Sequence, residues 1–193
     1  AAVLFAANRD AGIRAGQNLR SAGAVARQLA QGHGNRLRIA GRVLAADPIL
    51  RGAIVSGDLV ATTTILESQR QQANLDLGML LDPQGRILAA SESIRQQRVS
   101  YPGLVNHTNG DGVSRTVIQA DGLAYEVVTV PVGADEPIAW LAMGLLIDKS
   151  FAMTISKLTG LDATLLARAG RVQSVLGSSL TDLNPSTLLN DLT

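Results

Sequence analysis

The chain has 193 residues, enough for one domain of ordinary size plus a substantial appendage, and 46% of them are hydrophobic while only 17% are charged. That composition excludes a disordered chain. The net charge of +1 offers no global field for nucleic acid or an anionic membrane. The absence of cysteine excludes a disulfide scaffold and thiol chemistry.

Residues 1–7, AAVLFAA, are apolar and begin without Met, which suits either the stub of a removed transmembrane or signal segment or an ordinary helix start. From 8 to 32 the chain reads as an amphipathic helix with a thin apolar stripe (Ile13, Leu19, Ala22, Val25 or Ala26, Leu29). Such a stripe suits light packing on a domain or along a second copy. Gly32-His33-Gly34 is expected to break it. A second helix follows over 35–46 with Leu37, Ala40, Val43 and Leu44 inward. Asp47-Pro48 opens a third with Asp as cap and Pro at the first helical position. Asp58 caps a fourth over 59–74, with Leu59, Thr62, Ile65, Leu66 and Gln69 on one face.

Strands come next. Residues 77–81 and 87–90 flank Asp82-Pro83-Gln84-Gly85, a turn with Pro at its second position and Gly at its fourth. LGMLL, apolar on both faces, is expected to be central. Asp121-Gly122 joins 114–120 to the next strand through a two-residue hairpin turn. Residues 123–147 then hold two long apolar strands around a Gly/Pro turn. Five strands with tight turns predict an antiparallel sheet in an α+β fold. Between the two hairpins, 91–112 has no clear periodicity and is expected to be a functional flap or to carry a short helix. Asp148 caps a helix that ends at Gly160, another hairpin turns around Ala169-Gly170, and 180–193 reads as a weak helical tail.

No catalytic constellation emerges. His33 and His107 lie far apart and outside any metal-ligand spacing. Asp135-Glu136 falls in a hairpin turn, and Gly110-Asp111-Gly112 has neither the strand nor the helix of a phosphate loop. What remains is a sheet with a flap, an arrangement suited to holding a small molecule. The candidate contacts are Tyr101 in the flap and Arg115, Tyr125 and Trp140 on the strands. A buried Arg beside aromatics would clamp a small anion or carboxylate.

The order RLRIAGRVLAADPILRGAIVSGDLVATTTILES, LGMLLDPQGRILAAS, a variable flap, LAYEVVTVPV and IAWLAMGLLIDKSFAMTISKLTGLDATLL resembles the bacterial double Cache sensor domains over about residues 37–180. These are PAS-like extracytoplasmic domains set between two transmembrane helices. The Ala-Asp-Pro and Trp-Leu-Ala-Met-Gly motifs resemble those of sensors attached to GGDEF and EAL proteins of cyclic di-GMP signalling. The resemblance implies a signalling and dimerisation helix over 1–34, helices with a membrane-distal PAS-like lobe over 35–147, and an incomplete membrane-proximal lobe over 148–193. It implies a periplasmic, non-enzymatic, ligand-sensing domain without cofactor or metal, homodimeric through its first helix. The parent would be a diguanylate cyclase or phosphodiesterase; a histidine kinase or chemoreceptor is the alternative, and a ligand-free interaction module the rival of another class.

Overall fold

The computed structural model describes residues 14–91, 100–106, 112–133, 136–169 and 172–180. They form two compact units, one comprising 33–146 and the other the described parts of 1–32 and 147–193.

Helix α1 spans Arg14–Ala45, 32 residues without interruption. The expected break at Gly32-His33-Gly34 does not occur, so among the described residues three helices, not four, precede the first strand. Each interior glycine costs about 1 kcal/mol relative to Ala, and tertiary packing offsets that cost. A Cβ on Gly34 would lie 2.7 Å from Arg115 Cζ, and one on Gly41 would lie 3.2 Å from Val130 Cγ2. Both glycines are buried, as are Leu37 and Leu44. Spaced by three and four residues, these positions form the single face that α1 lays on the sheet. Val43, expected to point inward, is exposed.

Helix α2, Pro48–Ser56, begins as anticipated: the Asp47 carboxylate accepts from the Ile49 N–H at 2.7 Å, and Gly57 closes the helix in a left-handed conformation. Helix α3, Leu59–Gln72, is capped by Asp58, which accepts from the Ala61 N–H at 2.9 Å. Thr62 and Leu66 are buried on its inner face, whereas Leu59 is exposed, correcting the predicted face at its first residue. Arg36 of α1 donates to the carbonyl of Ala73 at 2.6 Å, and Arg70 of α3 pairs with Glu67 at 2.6 Å.

The strands β1 (Leu77–Leu81), β2 (Ile87–Ala90), β3 (Ser114–Ala120), β4 (Leu123–Val132) and β5 (Ala139–Leu146) form one sheet in the order β2-β1-β5-β4-β3. Every pairing is antiparallel. LGMLL lies between β2 and β5, its five residues buried, as an all-apolar strand requires. The β1–β2 turn is held by its own chemistry: Gly85 N–H donates to Asp82 O at 2.9 Å, and the Asp82 carboxylate accepts from the N–H groups of Gln84 and Arg86. Burial would push the Asp82 carboxyl up, but these bonds and the Arg86 guanidinium hold it below its usual value. Asp121 (φ 51) and Gly122 (φ 74) make the two-residue turn between β3 and β4. Positive φ at both positions is what a type I′ turn demands.

Side chains alternate across the sheet. One face carries Leu80, Val128, Val130, Leu141 and Met143 against α1–α3. The other carries Leu77, Met79, Tyr125, Val127, Trp140 and Ala142, packed with Leu104 and Val105. These last two belong to a short helix α4, Pro102–Asn106, which bears out the expectation that the 91–112 segment carries one. Residues 92–99 and 107–111, with His107, lie outside the described residues.

In the second unit, α5 (Lys149–Thr159) is capped by Asp148, which accepts from Phe151 N–H at 3.0 Å, and ends at Gly160. It lies against a two-stranded hairpin, β6 (Thr164–Ala169) and β7 (Val172–Ser178). The expected tail lies outside the described residues beyond 180, and the expected helix start at 8 lies outside them before 14.

Candidate functional site

The antiparallel register decides which candidate side chains share a face. Ile118 stands opposite Tyr125 and Pro131 opposite Trp140, whereas Arg115 stands opposite Val128. Tyr125 and Trp140 therefore belong to the α4 face of the sheet and Arg115 to the α1–α3 face. Tyr101, at the start of α4, packs with Tyr125 and Trp140 against one apolar cluster. The four candidates do not converge on one point.

A cleft of about 430 Å³ runs beside α4 and along β3, within the range of roughly 300–1,000 Å³ usual for small-molecule sites. Tyr101, Gly103 and Leu104 form one wall. Ser114, Arg115, Thr116, Val117 and Ile118 form the other, five consecutive residues, so the cleft follows β3, the outermost strand of the described sheet, and meets side chains from both sheet faces. Tyr101 and Arg115 are thus brought together at the cleft. Tyr125 and Trp140 lie behind it in the core, both less than a tenth exposed.

The cleft wall is fixed by bonds to backbone carbonyls. Tyr101 N–H donates to Gly85 O at 2.7 Å, and Ser114 Oγ donates to Leu104 O at 3.2 Å. Burial raises the phenol pKa of Tyr101, and Asp121 adds to the rise; Tyr125 is raised by burial, then by Asp76 and Asp121. Both phenols stay neutral donors at neutral pH. Thr129 is fully buried on the Tyr125 face of the sheet, directly opposite Ser114, and its hydroxyl has no hydrogen-bond partner among the described residues. A buried hydroxyl left unpaired costs about 1–3 kcal/mol.

Arg115, proposed from sequence as a clamp for an anion, has a partner within the protein. Its guanidinium pairs with the Glu126 carboxylate on β4, itself 9% exposed at the side chain. His33 of α1 stands in the same electrostatic neighbourhood. Burial lowers its pKa; Glu126 opposes that, Arg36 and Arg115 reinforce it, and Asp76 opposes it weakly. A histidine with a depressed folded pKa binds fewer protons folded than unfolded. Its contribution is fully present above the ordinary value near 6.5 and is lost as pH falls through the folded pKa. The 33–146 unit is therefore expected to lose stability as pH drops below about 6.5. His33→Gln should flatten that part of a melting-temperature profile; an unchanged slope would place the acid sensitivity elsewhere.

Among the described residues, no group of three or more His, Cys, Asp or Glu side chains could hold a metal ion. The residues that sequence reasoning missed are Gly103, Leu104, Ser114, Thr116, Val117 and Ile118. The alternation of β3 does not predict a cleft along its edge.

A long helix laid on a five-stranded antiparallel sheet of order 2-1-5-4-3, followed by a helix and a hairpin, defines a sensory domain of the Cache class. The family model dCache_3, described as "Double sensory domain of two-component sensor kinase", matches residues 17–192, and the chain belongs to that family. The periplasmic domain of Vibrio cholerae LuxQ is similar at 17% identity, covering 86% of this chain and 80% of its own, with a TM-score of 0.60. The V. cholerae histidine kinase DctB sensor domain shows 15% identity over 93% of this chain and 73% of its own, TM-score 0.59. The Campylobacter jejuni chemoreceptor Tlp3 ligand-binding domain, solved with 4-methylisoleucine, shows 12% identity over 90% and 73%, TM-score 0.58. At these identities the likeness is one of fold. None of the curated proteins matches the sequence. No helix among the described residues is long and apolar enough to cross a membrane.

Proposed function

We propose that this chain is the periplasmic sensory domain of a membrane signalling protein and that it binds a small molecule between α4 and the sheet. The observation that carries the reading is the cleft of about 430 Å³ between α4 and β3, lined by Tyr101 and Arg115. Tyr101 and Arg115 contact the ligand at the cleft, and Tyr125 and Trp140 form the aromatic floor behind it. A carboxylate ligand fits because it could take over the Arg115 guanidinium from Glu126. The similar Tlp3 domain, solved with 4-methylisoleucine, supports a small organic ligand.

A thermal-shift screen of amino acids, small carboxylates and phosphates tests this. A ligand at one hundred times its dissociation constant stabilises the fold by about 2.7 kcal/mol. The hit's shift should shrink in Tyr101→Ala and Arg115→Ala. No hit across the panel, or a shift indifferent to both changes, would remove the reading.

The family description supports a kinase output for the parent protein. The cyclic di-GMP enzyme implied by the sequence motifs is the second reading, and the coding sequence downstream of this domain separates the two. The division at about residues 34 and 147 is part of the same proposal.

The domain is further proposed to dimerise through α1. Ile39 and Val43, one turn apart on that helix, are 62% and 66% exposed. An uncovered apolar stripe on a regular helix suits a partner of the same kind. Ile39→Arg should convert a dimer to a monomer in light scattering. A wild-type chain that is monomeric at high concentration would refute it.

A further inference from the structure

Arg115 has one end at the cleft and the other at a helix. The residue lines the cleft along β3. Its guanidinium pairs with Glu126 of β4 and also lies against α1 at Gly34. A methyl group on Gly34 would sit 2.7 Å from Arg115 Cζ, 2.8 Å from Nε and 2.9 Å from Nη1, so the guanidinium occupies the space that any other residue would need. Glu126 is buried on the same sheet face, so its carboxylate fixes where the guanidinium rests. His33, the residue before Gly34, feels the charges of both Glu126 and Arg115. The edge of the cleft, an ion pair between exposed Arg115 and buried Glu126, and the backbone of α1 thus meet in one side chain.

We propose that Arg115 is the positioning residue through which occupancy of the cleft reaches α1. A group entering at the β3 edge shifts the guanidinium relative to Glu126, and α1, touching it at Gly34, shifts with it. This rests on the sensor reading above and adds the route by which the site acts. Coupling of this kind needs contact between elements that have two arrangements. The Gly34 approach provides the contact, and the exchange of Arg115 between Glu126 and an incoming group provides the two arrangements.

Two measurements on the full chain test it. The contact is tested by Gly34→Ala in the wild type and in an Arg115→Ala/Glu126→Gln background, which removes the guanidinium without leaving a buried charge unpaired. Alanine favours the helix but meets the guanidinium. Displacing the guanidinium from Glu126 takes back part of what alanine adds, so the rise in melting temperature should be smaller in the wild type than in the double variant. An equal rise in both backgrounds overturns the proposal.

Transmission is tested by filling the cleft with Gly103→Phe, since a Cβ at Gly103 meets nothing within 4 Å. Thr116→Phe fills it from the strand side should the first variant not fold. Hydrogen exchange at the α1 amides of 33–38 should change by about threefold or more with Arg115 present, the scale at which contacting residues couple. It should stay unchanged in the Arg115→Ala/Glu126→Gln background. Equal changes in both backgrounds, or none in either, overturn the role of Arg115 and leave the sensor reading untouched. A ligand screen without a hit does the reverse.

Discussion

Truncating Leu141 to Ala is expected to destabilise the 33–146 unit by about 2–5 kcal/mol. Leu141 lies on the central strand β5, opposite Leu80 on one side and Val130 on the other, with no exposed surface. Its side chain belongs to the cluster that joins the sheet to α1, α2 and α3. Neighbours on both strands are themselves fixed in the ladder, so the void has little means of collapsing. For a chain of this size the cost corresponds to a fall in melting temperature of roughly 4–20 °C. A change smaller than that in a circular-dichroism melt would mean the cluster relaxes into the space.

Gly85→Ala is expected to act on the cleft as well as on stability. Gly85 has φ 79, and a Cβ there would lie 2.7 Å from Pro102 N, Pro102 Cα and Tyr101 C. All three are backbone atoms, so no side chain can swing aside. The left-handed conformation costs about 1–2 kcal/mol for a non-glycine residue, and the forced displacement adds about 1–3 kcal/mol. Because the Gly85 carbonyl accepts from Tyr101 N–H, the displaced piece is the root of α4. Hydrogen exchange at 102–106 should accelerate more than exchange in β4 or β5. Uniform acceleration would show that the turn supports the whole unit and not α4 in particular.

Local chemistry made much of this fold legible in advance. Asp-Pro-x-Gly, Asp-Gly and the capping aspartates at 47, 58 and 148 each act within a few residues, and each acts in the structure as the sequence suggests. Gly32-His33-Gly34 misled because its cost is local while its compensation is not. Gly34 is set by Arg115, 81 positions away in the chain. The spacing of Gly34, Leu37, Gly41 and Leu44 carried the signal of one helix face, but two glycines in three residues outweighed it.

The site was less legible. Once Asp121-Gly122 is a two-residue turn, the register puts Arg115 and Tyr125 on opposite faces of the sheet. Grouping them by chemical type overlooked that parity. The same register sets Glu126 diagonally beside Arg115, so the internal ion pair was deducible from the hairpin. The cleft along the β3 edge was not, because it depends on where α4 comes to rest.

The unbroken run of α1 has a mechanical consequence. At 1.5 Å per residue its 32 residues make a rod about 48 Å long. Such a rod is stiff along its axis, where hydrogen bonds and covalent geometry resist compression together. It is softest in bending at the turn holding Gly32 and Gly34, where propensity is lowest.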